Sequence, residues 1–105
     1  MNKIKTDEEF RERLAEAIPL LRQALEDHAQ KGTPLQNLPY VYEEILKWLE
    51  SVEKDVNAGT IPSYNDRLLE SKGFWVNRGW DPADYLGTVI DHVRGYWALK
   101  IKNDA

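Results

Sequence analysis

The chain has 105 residues, 42% of them hydrophobic and 30% charged, which fits one soluble-type globular domain over 1–105 and excludes a disordered chain. No apolar run approaches the roughly 20 residues that a bilayer span needs, and no membrane role is expected. The net charge of −4 argues against a nucleic-acid partner. The absence of cysteine removes disulfides and thiolate metal sites, and with no visible signal peptide makes the cytoplasm the expected compartment.

The first predicted helix opens at Thr6–Asp7–Glu8–Glu9, a capping box in which the Thr6 hydroxyl can accept from the Glu9 amide. Phe10, Leu14, Ile18, Leu21 and Leu25 follow at steps of three and four, the helical period. Pro19 falls inside that stripe without shifting its phase. A proline there removes one backbone hydrogen bond, so a kink or short break near Pro19 is expected. Gly32 is placed to end the helix.

The second helix is marked by Leu35, Leu38, Tyr42, Ile45, Leu49, Val52 and Val56, with Pro39 in its first turn. Glu43–Lys47 and Glu50–Lys54 are i,i+4 pairs of favourable orientation. Asn57 to Gly59 supply the stop. The third helix begins with Ser63 as cap and Asp66 at the third position, carries Tyr64, Leu68, Leu69, Trp75 and Val76 less regularly, and contains Gly73. The fourth is expected to start with Asp81 as N-cap, Pro82 first and Asp84 third, with Trp80 and Tyr85 forming a hydrophobic staple. Its stripe is Leu86, Val89, Ile90, Val93, Trp97 and Ile101. No segment alternates with period two. The fold expected is all-α, an antiparallel four-helix bundle.

Few residues suggest chemistry. His28 and His92 lie on different predicted helices, and neither has a partner at metal-ligand spacing, so no metal site, cofactor or catalytic residue is assigned. No strained Gly-x-Ser-x-Gly turn is present. Residues 1–53 hold 11 acids against 7 bases and so carry the whole net charge. That surface reads as a solvated face or as a means of steering a basic partner. Gly87 and Gly95, eight apart on the last helix, cost helix propensity, and close packing of a crossing helix is the expected reason.

The aromatic residues are more specific. Eleven of 105 residues are aromatic, four of them Trp. Trp48 and Trp97 fall on or beside apolar stripes. Phe74, Trp75 and Val76 are consecutive and span about 200° of helix arc, so one core face cannot take all three. Trp80 lies in the following loop beside Arg78. Trp, Tyr and Arg dominate binding hot spots. A partner surface is therefore expected at Trp75, Arg78, Trp80 and Asp84, with Tyr64 and Asp66 beside them. The competing reading is that Trp80 only staples the last helix while Phe74 and Val76 are core.

The layout resembles the small helical immunity proteins of type VI secretion toxins, in particular those that neutralise toxins degrading NAD and NADP. The resemblance rests on an amphipathic first helix, a Gly/Pro turn, and Tyr42–Glu43–Glu44–Ile45–Leu46–Lys47–Trp48–Leu49. A third helix with an internal glycine follows, then Asp81–Pro82 ahead of Leu86. Relatives tend to carry an acidic-aromatic stretch before the Asp-Pro, where this chain has Val76–Asn77–Arg78–Gly79. The resemblance implies a non-catalytic inhibitor that binds a cognate toxin one-to-one and occludes its active site. The alternative is another interaction module, such as a phage protein, adaptor or regulatory subunit. The same surface could also serve a homodimer.

Overall fold

The computed structural model describes residues 3–75 and 84–101, with side chains through 70 and again from 84. These residues form α1 (Asp7–Lys31), α2 (Pro39–Ala58), α3 (Tyr64–Trp75) and α4 (Tyr85–Leu99), and no strand. The all-α expectation holds.

The helix ends follow local chemistry. The Glu9 amide donates to the Thr6 hydroxyl oxygen at 3.1 Å, satisfying one of the orphan donors at the start of α1. Gly32 and Gly59 close α1 and α2 at φ 69° and 70°, the left-handed conformation that a side chain opposes. Pro39 is the first residue of α2, where its missing N–H costs nothing. The Asp66 amide donates to the Ser63 hydroxyl oxygen at the start of α3.

One expectation is narrowed and one corrected here. No break interrupts α1, which runs as one helix through Pro19. Pro19 and Ala15, whose carbonyl loses its usual donor, are both exposed, so water can satisfy that oxygen. The α4 N-cap is Asp84, not Asp81: Asp84 is extended at φ −100°, ψ 177°, and its Oδ1 accepts from the Gly87 amide at 2.7 Å. Asp84 therefore precedes the helix and is not its third residue, and Tyr85 is the first helical residue. Asp81 and Pro82 lie outside the described residues.

The core joins the three long helices. Phe10, Leu14, Ile18 and Leu21 of α1 meet Tyr42, Ile45, Leu49 and Val52 of α2, and Val89, Ile90, Val93 and Trp97 of α4. α1 packs against both α2 and α4, while α3 packs on α4. Phe10 stacks with Tyr96 and Trp97 at centroid separations of 5.4 and 6.0 Å, binding the start of α1 to the end of α4. Trp48 is buried as expected, and its indole N–H donates to the Glu70 carboxylate, linking α2 to α3. Leu38, expected on the apolar stripe, is 62% exposed as the N-cap of α2. Glu50 pairs with Arg22 across helices at 3.0 Å, and not with Lys54.

α3 departs most from its apolar pattern. Tyr64 and Leu69 are exposed, and among its described side chains the buried one is Arg67, 2% exposed. The Arg67 Nε donates to the Trp97 carbonyl at 2.7 Å, Nη2 to the Ile101 carbonyl at 3.4 Å, and Nη1 to the Pro62 carbonyl. The guanidinium also lies 5.8 Å from the Trp97 ring centroid. A cation at the negative end of α4 is favoured by the helix dipole, and the rigid fork supplies donors that water cannot bring to this site.

Candidate partner-binding surface

The expected site residues that are described, Tyr64, Asp66 and Asp84, do not lie together. Tyr64 and Asp66 are exposed in the first turn of α3, beside Arg67, which reaches the C-terminal end of α4. Asp84 caps the other end of α4, a helix of 15 residues and hence about 22 Å long. The Trp75 side chain, Arg78 and Trp80 lie outside the described residues. Asp84 also lines a concave surface.

That surface is a groove of about 400 Å³ between the later half of α1, the α1–α2 connection and the start of α4. Leu20, Ala24, Leu35, Tyr42, Tyr85 and Leu86 give it apolar walls, and Asp27 and Asp84 are its acidic residues. Local hydrogen bonds fix the connection that forms one wall. The Thr33 amide donates to the Asp27 carbonyl, His28 Nδ1 lies 2.9 Å from the Thr33 carbonyl, and the Asn37 amide donates to the Tyr42 hydroxyl. Asp27 accepts from Gln23 at 2.8 Å and lies 3.7 Å from Lys31.

Four of the seven exposed large apolar residues among those described lie in or beside the groove. Leu20 (38%) and Tyr85 (57%) line the groove, and Leu38 (62%) and Tyr40 (51%) lie on the adjoining turn into α2. The Tyr85 hydroxyl donates to the Glu16 carboxylate, which holds the ring and raises the phenol pKa. A groove with apolar walls, an amphipathic tyrosine and acidic side chains is suited to grip an apolar side chain flanked by a cation.

Leu20, Leu35, Leu38, Tyr40 and Tyr85 were not among the sequence-derived site residues. The usable signal was phase: Leu20 sits one residue off the α1 stripe that holds Leu21, and Tyr40 is off the α2 stripe. Outside the groove, partial burial followed by the nearby Asp55 raises the Glu70 pKa. Among the described residues no group of three or more His, Asp or Glu side chains could hold a metal ion, and no helix is long and apolar enough to cross a membrane. No protein-family model, curated protein or solved structure matches this chain.

Proposed function

We propose that the protein is an immunity-type inhibitor that binds a cognate bacterial toxin one-to-one in the cytoplasm and occludes its active site, without catalysis of its own. The scaffold in this reading is an antiparallel four-helix bundle whose first helix bends at Pro19. Support for opposed α1 and α4 comes from Tyr96 near the end of α4 donating to Asp7, and Tyr85 at its start donating to Glu16.

The observation that carries the reading is the groove with its exposed Leu20 and Tyr85 beside Asp27 and Asp84. Solvent-facing Leu and Tyr gathered at one concave place are unfavourable in isolation and useful against a protein partner. The Trp75–Trp80 stretch precedes Asp84 closely in the sequence, which supports assigning both to one contact. Acidic side chains there suit a toxin cleft whose cationic groups normally hold a phosphate-bearing substrate.

Co-expression with the toxin encoded by the neighbouring gene tests this. A stable one-to-one complex and restored growth are expected. Leu20→Glu with Tyr85→Ala, and separately Trp80→Ala with Arg78→Glu, should each weaken binding by more than about 2 kcal/mol with the thermal midpoint retained. Failure to isolate the complex together with failure to rescue growth refutes the reading.

A further inference from the structure

Gly95 lies inside α4, four residues before its end, where glycine lowers helix stability relative to alanine. The expected reason was close packing, and the structure shows the opposite. A Cβ built on Gly95 meets nothing within 4 Å. The space above it is a cavity of about 240 Å³ between α4 and the segment that precedes α1. Glycine here has no packing role; it leaves a backbone floor uncovered.

The walls around that floor are cationic in a chain that is acidic as a whole. Among the described residues, Lys3, Arg94 and Lys100 line the cavity against one carboxylate, Asp91. Asp91 lies 3.0 Å from Arg94 and balances it. Lys3 and Lys100 have no ion-pair partner among the described residues. His92 shares the wall, and its Nδ1 is buried without a hydrogen-bond partner. An orphaned acceptor is tolerated better than an orphaned N–H, which assigns the ring proton to Nε2 and makes that nitrogen a donor. Ile4 and Leu99 supply apolar surface on the same cavity.

We infer that the cavity over Gly95 is a binding site for a small organic phosphate monoester, its dianion held by Lys3 and Lys100 with His92 Nε2–H, and its organic part against Ile4 and Leu99. Two unpaired ammonium groups match the charge of a phosphate dianion. The volume exceeds that of the phosphate and leaves room for a body of a few carbons. This site is separate from the groove at the other end of α4 and stands whether or not the protein neutralises a toxin.

The test is an amide NMR titration of the full chain at constant ionic strength, with phenyl phosphate in one series and inorganic phosphate in another. Saturable shifts at Gly95 and Leu99 are expected for phenyl phosphate, with a Kd of ~1 mM or tighter. Inorganic phosphate should bind at least ~10-fold more weakly, having nothing to place on the apolar wall. The double variant Lys3→Gln, Lys100→Gln should lose at least ~10-fold in affinity. Gly95→Met, whose side chain would occupy the cavity, should abolish the shifts at Leu99 while the other amide resonances stay in place. Linear, unsaturated shifts overturn the proposal, as does equal affinity for inorganic phosphate or unchanged binding by the double variant.

Discussion

Replacing Arg67 by methionine keeps an unbranched apolar stem of similar reach and removes every donor of the guanidinium. Three carbonyls then lose their charged partner: Pro62, Trp97 and Ile101. Hydrogen bonds to charged groups contribute about 1.5–3 kcal/mol each. Relief of the guanidinium's desolvation, which lowers its pKa in the folded protein, offsets part of that loss. The Pro62 carbonyl is only partly buried and regains water, whereas Trp97 and Ile101 are buried. The net expectation is a loss of about 3 kcal/mol, a large share of a typical 5–15 kcal/mol domain stability. For a domain of this size the thermal midpoint should fall by roughly 12 °C or more. Urea and thermal unfolding followed by circular dichroism measure both. Hydrogen exchange adds location: α3 packs on α4, so its amides should lose protection first. Arg67→Lys retains the charge, but one ammonium cannot span three carbonyls, so its loss should approach that of the methionine variant. A loss below about 1 kcal/mol for Arg67→Met would refute the clamp, because it would mean that those carbonyls are satisfied without Arg67.

Two further outcomes follow from the same packing. Gly95→Ala should stabilise the fold by about 1 kcal/mol, since helix propensity improves and the new methyl meets open space; destabilisation in a urea titration would restore the close-packing explanation. The Tyr96 phenol is pushed up to about 12, first by burial and then by its hydrogen bond to Asp7, with Glu9 adding to the effect. The folded state therefore holds this proton more tightly than the unfolded chain. Its contribution to stability is complete below pH 10 and declines as the pH rises from about 10 towards 12, and Tyr96→Phe should reduce that slope in unfolding measured across the range.

The fold was legible where a residue's role is settled within its own helix. Steps of three and four placed Phe10, Leu14, Ile18 and Leu21, and likewise Val89, Ile90, Val93 and Trp97, in the core. Thr6, Ser63, Gly32 and Gly59 act at helix ends as their local chemistry requires. The start of α4 was misread because Asp81–Pro82 and Asp84–Tyr85 both carry capping chemistry, and in the structure it is the Asp84 carboxylate that takes the Gly87 amide. Of the three proposed partner-surface residues whose side chains are described, Asp84 enters the groove, and Tyr64 and Asp66 stand at the other end of α4.

What the sequence by itself determined was the helical content, the three long apolar stripes and most of the caps, because each depends on residues within four or five positions of one another. Tertiary structure alone decided that α3 buries an arginine and exposes Tyr64 and Leu69, because two of the three carbonyls that Arg67 serves lie 30 and 34 residues away in the chain. It also decided that Gly95 faces open space, and that Leu20, Leu35, Tyr85 and Asp84 share one groove. Those outcomes depend on how three helices and a loop meet, and no local period encodes such a meeting.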